Sequence, residues 1–349
     1  MITALALFGY AVAAAGCAPA LLAPLTSRGA SARLGLTVWL AAMASAGAAA
    51  ALGTYLVIAT AVANWAPFTA AVCRSVAGDA CTPLVYRSEL YEGGVTGLAV
   101  AVVLGALAAL WRCGRRVQRA QRQTRAHAEA ALLAGRALAD QVPAGHAPAG
   151  RTGTVVLDDP RPAAYCVAGR PAAIVVTSGA LALLGGPQLA AVLAHERAHL
   201  AGRHHVLATV TRGLTAAFPG VPLFTRGAAE VARLSEMAAD DAAVRLAGRP
   251  ALVTALLAIA TGAPVPGTGL AGLVPGHGAS DHGASDHGAS GHGAVPAAGL
   301  AATACAVPAR VERLLDPPGR STVAVSRLAL AALSVLLLLL PAALAVLPF

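Results

Sequence analysis

Two histidines, His195 and His199, stand four residues apart in this chain, and Glu196 directly follows the first of them. Residues i and i+4 share one face of a helix, so both imidazoles can direct a ring nitrogen at the same metal ion, with Glu196 beside them. Neutral imidazole is a good ligand for Zn²⁺, and a catalytic zinc site needs three protein ligands and an open position for water. We therefore predict one catalytic zinc ion here, with Glu196 as the general base that activates water.

The residues around the motif predict that it lies on a helix. Gly185, Gly186 and Pro187 mark the start, because proline suits the first turn of a helix. Apolar residues then recur up to the motif, and Gly202 can end the helix. The two histidines should therefore share one face, as metal binding requires.

A second predicted helix, residues 228–247, offers a third ligand. Glu236 and Asp240 are four residues apart on it and are surrounded mostly by alanine. Glu236 is the predicted carboxylate ligand, and Asp240 is predicted to accept a hydrogen bond from a ligand histidine and so fix its tautomer. The alternative is two ordinary solvated amphipathic helices that bind no metal.

The H-E-x-x-H motif followed by a helix with E-x-x-x-D resembles the glutamate-zincin peptidases, over residues 154–247. With the layout of apolar segments given below, the chain is more similar to the BlaR/MecR-type membrane metallopeptidases, family fifty-six, than to the related HtpX-like and CAAX-prenyl-protease types. This resemblance implies a zinc endopeptidase in regulatory signalling, whose protein substrate is a transcriptional repressor or the enzyme itself. Two alternatives stay open: HtpX-like quality control of membrane proteins, and a non-catalytic metal-binding membrane receptor that would not need Glu196.

The composition is that of an integral membrane protein. Hydrophobic residues make up 57% of the 349 residues and charged residues only 12%. Four apolar segments are long enough to cross a bilayer, for which about 20 residues suffice: 2–25, 34–66, 93–111 and 323–347. The predicted fold class is an α-helical membrane protein with about four transmembrane helices and an inserted α+β zincin-like metallopeptidase domain.

Arginines predict the orientation in the membrane. Six of them follow the third apolar segment, and Arg28 and Arg33 lie two crossings earlier. By the positive-inside rule both positions are cytoplasmic, so the peptidase domain is predicted in the cytoplasm and both termini outside the cell. The net charge of +9 could suggest a nucleic-acid partner, but the arginines cluster beside an apolar segment and no such binding motif is present. The predicted partners are the lipid bilayer and a protein or peptide substrate.

We divide the chain into five regions by composition. They are three transmembrane helices with a short external loop (1–111), a basic juxtamembrane helix and linker (112–150), the zinc metallopeptidase domain (151–260), a low-complexity Gly/His-rich insertion (261–309), and a helix with the last transmembrane helix (310–349). The insertion contains a five-residue repeat that begins with histidine. It is interpreted as flexible low-complexity sequence, with weak metal binding as the alternative.

Within the domain, the pattern predicts strands at 154–157, 163–167 and 172–177, followed by a short helix capped by Ser178. A helix is expected at 126–139, and another at 206–224 that packs on the domain or lies in the membrane interface.

His204, His205 and Arg245 are not predicted at the site, since continuous helices would turn them away from it. The residue that stabilises the oxyanion stays unassigned.

Overall fold

The computed structural model describes residues 2–27, 31–63, 100–119, 136–137, 153–167, 172–265, 307–317 and 319–346, with single positions between 94 and 126. The chain forms two compact units. The first consists of Met1–Arg122, Val206–Ser235 and Gly319–Phe349, and the second of Gln123–His205 and Glu236–Pro318. The His-rich repeat at 277–292 and residues 67–92, which form the predicted external loop, lie outside the described residues.

The first unit contains the long apolar helices. These are α1 (Ile2–Thr26), α2 (Ala32–Ala63), α3 (100–119) and α10 (Arg320–Val346). Three segments of the described chain are long and apolar enough to cross a membrane: Ile2–Thr26, Ala32–Ala61 and Val323–Val346. They indicate a membrane protein. The predicted span at 93–111 lies only partly within the described residues, so the total of four stays a prediction.

Polar side chains join the apolar helices of this unit. Trp39 of α2 is fully buried and donates from Nε1 to Thr26 Oγ1 at the end of α1, at 3.2 Å. Ser45 donates from its hydroxyl to the carbonyl oxygen of Leu337 on α10, at 2.5 Å, and also contacts the Tyr10 hydroxyl. Each of these polar groups thus has a partner, as burial away from water requires.

Residues 206–235 belong to the first unit and not to the unit that contains the sheet, which corrects one of the two expectations for 206–224; the other, a position in the membrane interface, stays a prediction. Helix α6 (His204–Ala217) ends before a turn with Gly220 at φ 80°, and α7 (Pro222–Ala247) begins directly after it. Helix α7 therefore starts six residues earlier than the predicted 228. Its first half packs closely on α2, because a side chain at Gly227 would overlap Met43.

The second unit contains a four-stranded sheet that precedes the histidine motif. Its strands are β1 (Arg136–Ala137), β2 (Gly153–Leu157), β3 (Ala164–Val167) and β4 (Ala173–Thr177), in the order β1-β2-β4-β3. Strands β2 and β4 are parallel, and the other pairs are antiparallel. Every residue of β4 is buried, as suits the central position of this apolar strand. The three predicted strands are confirmed to within one residue at each end.

Two local predictions for this unit are wrong. Residues 136 and 137 were expected to be helical, but they pair with Val156 and Val155 of β2. The tertiary pairing of strands overrides the helical preference of an alanine-rich sequence. The short helix α4 (Ser178–Leu183) is capped by Thr177, whose hydroxyl oxygen accepts from the backbone N–H of Ala180, whereas Ser178 donates to Asp158.

The histidine motif lies on α5 (Gly186–Ala201), as predicted, with Pro187 in its first turn and Gly202 at its end. The unit also contains α7 from Glu236 onward, α8 (Arg249–Thr261) and α9 (307–315). One face of the sheet packs on α5 and α8 through a buried apolar cluster whose members include Ile174, Val192 and Ala255. This core holds the motif helix against the sheet.

Candidate metal centre

The structure brings the three predicted ligands together. His195 and His199 lie one turn apart on α5, and Glu236 reaches them from α7. The two Nε2 atoms are 3.0 Å apart. Glu236 places Oε2 at 3.4 Å from His195 Nε2 and Oε1 at 3.4 Å from His199 Nε2. The two imidazoles and the carboxylate thus converge on one point.

These separations fit a zinc ion. In a tetrahedral site with metal–ligand distances of about 2.0 to 2.1 Å, two ligand atoms are about 3.3 Å apart. The two Nε2 atoms are 3.0 Å apart, and each lies 3.4 Å from the Glu236 oxygen that faces it, Oε2 for His195 and Oε1 for His199, so the nearest contacts between the three groups are close to that value. In addition, Glu236 Oε2 is buried and has no well-formed hydrogen bond among the described residues, although the Arg310 guanidinium lies 3.1 Å away. A cation between the three groups would satisfy this oxygen, so the donor set fits the predicted metal.

Asp240 lies behind the first ligand, one turn along α7 from Glu236. Its side chain is almost completely buried, and Oδ1 is 3.1 Å from His195 Nδ1. The negative charge at this distance favours a proton on Nδ1, which leaves the lone pair on Nε2 facing the cluster. This is the position in which the sequence places Asp240.

Arg310 is a residue of the site that the sequence analysis missed. It lies on α9, is only 5% exposed, and donates from Nε and Nη2 to the two carboxylate oxygens of Asp240, at 2.8 and 2.6 Å. Its Nη1 is 3.1 Å from Glu236 Oε2. A planar guanidinium suits such a two-pronged contact. The sequence predicts a helix from Arg310 but gives no signal that this helix reaches the motif, because 261–309 intervenes.

Two of the three polar residues that the sequence does not place at the site, Arg245 and His204, differ in outcome. Arg245 is exposed on α7, in agreement with its predicted orientation. His204, in contrast, lies at the motif, with Nδ1 at 2.9 Å from His199 Nδ1 and the two rings edge to face. It does not turn away as expected, because α5 does not continue through it, but it is not one of the three candidate ligands. Arg203, at φ 49°, reverses the chain between α5 and α6.

Glu196 faces a buried environment beside the cluster. It is 9% exposed, and burial raises the pKa of its carboxyl group, while the two ligand histidines oppose the rise. The Cys166 thiol on β3 lies beside this carboxylate, and the pKa of Cys166 is raised well above its ordinary value, first by burial and then by the charge of Glu196. A raised pKa brings a carboxylate closer to the range in which a general base works best at neutral pH.

The charges of the cluster compensate one another in the metal-free state. Burial by itself lowers the pKa of His195, but contacts with Asp240 and Glu236 outweigh burial and raise this pKa to about 9. Burial opposes ionisation of both carboxylates, yet the ligand histidines lower the pKa of Glu236, and His195 with Arg310 lowers that of Asp240. The site is therefore a set of buried ionised groups held in place by mutual contacts.

Residues 134–221 match the model of peptidase family M48. The match contains both histidines and Glu196 and ends before Glu236 on α7. No curated protein and no solved structure matches the chain. The family match and the cluster of two histidines and one glutamate indicate a metallopeptidase domain, and the apolar helices indicate that the protein is membrane-associated. The finer resemblance to the BlaR/MecR group stays a prediction.

Proposed function

We propose that this protein is a zinc-dependent endopeptidase that cleaves protein substrates at the cytoplasmic face of the membrane. The observation that carries the proposal is the convergence of His195, His199 and Glu236 at separations of 3.0 to 3.4 Å, with Glu196 next to the first histidine. In this proposal the three residues hold one zinc ion, and Asp240 keeps His195 in the tautomer that can bind it.

The zinc ion would supply Lewis-acid chemistry, which makes water more nucleophilic and a peptide carbonyl more electrophilic. Glu196 accepts the proton of the attacking water and returns it to the leaving amine. Burial raises the pKa of Glu196, which brings this carboxylate closer to the range in which a general base works at neutral pH. Arg310 keeps Asp240 ionised, so that the partner of His195 stays an acceptor.

The sheet suggests how a protein substrate reaches the site. Strand β3 lies at one edge, and among the described residues it pairs only with β4. Cys166 of β3 contacts Glu196, so this edge runs beside the proposed general base. An extended peptide that pairs with β3 would continue the sheet and pass the metal centre, which is the usual mode of β-addition. This arrangement supports a peptide substrate.

The cytoplasmic location is supported by the arginines at 112–125, and the proposed role is regulatory cleavage of a repressor or of the enzyme itself. The competing role is quality control of membrane proteins. Proteomic comparison of cells with wild type or Glu196→Ala separates them. One soluble regulator that accumulates intact supports signalling, whereas many accumulating membrane proteins support quality control.

A cytoplasmic reporter fused after Gly150 should be active, and an inactive reporter contradicts the orientation.

The first experiment is the metal content of detergent-purified protein. We expect about one zinc per chain in the wild type, since the cluster holds one set of three ligands, and loss of most of it in Glu236→Ala. Glu230→Ala is the matched control, because Glu230 lies on the same helix but pairs with Arg233 at 2.7 Å instead. Deletion of 277–292 controls for zinc held by the histidine repeat. If zinc survives in Glu236→Ala and disappears with the repeat, the protein is a metal-binding membrane protein and the proposal fails.

A further inference from the structure

The turn that follows the motif helix places a third histidine against the second ligand. Helix α5 ends at Gly202, whose N–H donates to Ala198 O at 2.8 Å, and Arg203 then adopts the left-handed conformation with φ 49°. This conformation is uncommon for residues other than glycine, asparagine and aspartate. It directs the next residue, His204, back toward α5 instead of onward along it.

Gly202 makes room for this arrangement. A Cβ atom added to Gly202 would overlap the His204 ring and lie 2.7 Å from its Cδ2. The backbone of Gly202 has φ −76°, which any residue can adopt, so the close approach of His204, and not backbone conformation, is what disfavours a side chain here. The two features together, the left-handed Arg203 and the missing side chain at Gly202, hold the His204 ring beside His199.

The contact between the two rings joins Nδ1 to Nδ1, at 2.9 Å. One of these nitrogens must donate and the other accept. If His199 is to bind a metal through Nε2, which faces His195 and Glu236, its proton must be on Nδ1. His199 is then the donor and His204 Nδ1 the acceptor.

We propose that His204 is a positioning residue that accepts the Nδ1 proton of His199 and thereby holds His199 in the metal-binding tautomer and orientation. It acts on the second ligand as Asp240 acts on the first. This inference rests on the proposed metal centre. Partners of this type around a metal site alter metal affinity by about 10- to 100-fold when they are removed.

The test is the zinc affinity of the full-length protein in detergent, measured by competition with a chromophoric chelator. His204→Phe keeps a ring of similar size and removes the acceptor, and we expect it to weaken zinc binding about 10- to 100-fold. His204→Asn places an amide oxygen close to the position of Nδ1, and we expect it to restore affinity to within about threefold of the wild type. His204→Gln, whose amide reaches the Nε2 position instead, should not restore it. His205→Phe is the neighbouring control and should bind zinc as the wild type does.

A double-mutant cycle tests the geometry separately. Gly202→Ala should weaken zinc binding because it displaces the His204 ring, and it should add little once His204→Ala has removed that ring. Wild-type affinity in His204→Phe, or equal losses in the Phe and Asn variants, overturns the positioning role while the metal centre stands. If the wild type binds no zinc, the proposed function and this inference fail together.

Discussion

Arg310 offers the sharpest prediction about what holds the site together. It is 5% exposed, its partner Asp240 is 1% exposed, and the two form two charged hydrogen bonds of 2.8 and 2.6 Å. Arg310→Met keeps the length and apolar part of the side chain but removes both guanidinium hydrogen bonds of the buried Asp240 carboxylate, which among the described residues retains only its contact with His195 at 3.1 Å. Removing one member of a buried ion pair costs about 3–5 kcal/mol. We therefore expect the free energy of unfolding of the second unit to fall by that amount.

The same two helices provide a matched control. Arg313 of α9 donates from Nη2 to Asp241 of α7 at 2.8 Å, but the side chain of Asp241 is 38% exposed. An ion pair with a solvated partner contributes about 0–1 kcal/mol, so Arg313→Met should have little effect. Arg310→Lys should recover only part of the loss, because an ammonium group cannot make both contacts of the guanidinium at once.

The assay is pulse proteolysis of the full-length, zinc-free protein across a urea series. With a urea dependence of about 2 kcal/mol per molar, the predicted loss moves the midpoint down by about 2 M for Arg310→Met and by less than about 0.5 M for Arg313→Met. Equal shifts in the two variants would refute the argument, since burial of the pair would then make no difference to its contribution.

Four further predictions concern the chemistry. Glu196→Gln should retain zinc but lose hydrolysis by about 10²- to 10⁴-fold, the usual contribution of a general base; zinc loss in this variant would contradict the assignment. Asp240→Asn should weaken zinc binding about 10- to 100-fold, whereas Asp241→Asn on the same helix should not. Burial raises the pKa of the Cys166 thiol, so alkylation near pH 8 should be much slower in the folded protein than in urea, and equal rates would show that this thiol is accessible. In the metal-free protein, contacts with neighbouring carboxylates outweigh burial and raise the pKa of His195 from 6.5 to about 9. The protonated imidazole therefore stabilises the fold fully below pH 6.5, and this contribution is lost as the pH rises through about 9. The urea midpoint should fall over this pH range in the wild type, and His195→Ala should flatten the dependence.

Local sequence was sufficient to locate most of the site. The i, i+4 spacing of His195 and His199 places them on one helical face wherever that helix lies, and the same holds for Glu236 and Asp240. Apolar runs bounded by glycine and proline were sufficient for the strands near the motif. These features depend on a few neighbouring residues, which is why they can be read without knowledge of the fold.

Local sequence was insufficient where the outcome depends on other parts of the chain. Residues 136–137 form a strand because β2 offers an edge to pair with, and nothing within those two residues encodes that edge. Similarly, 206–224 was expected either to pack on the peptidase domain or to lie in the membrane interface, and only the tertiary structure groups it with the apolar helices. In both cases the tertiary partner decides between states that have similar local preferences.

The sequence by itself therefore determined the chemistry: two imidazoles, two carboxylates with defined spacings, and a glutamate beside the first imidazole. Only the tertiary structure decided which residues surround them. Arg310 reaches Asp240 across 70 residues of chain, and His204 reaches His199 because Arg203 reverses the backbone. Periodicity describes one element at a time, whereas a buried site forms where several elements meet, and that meeting depends on how their apolar faces pack.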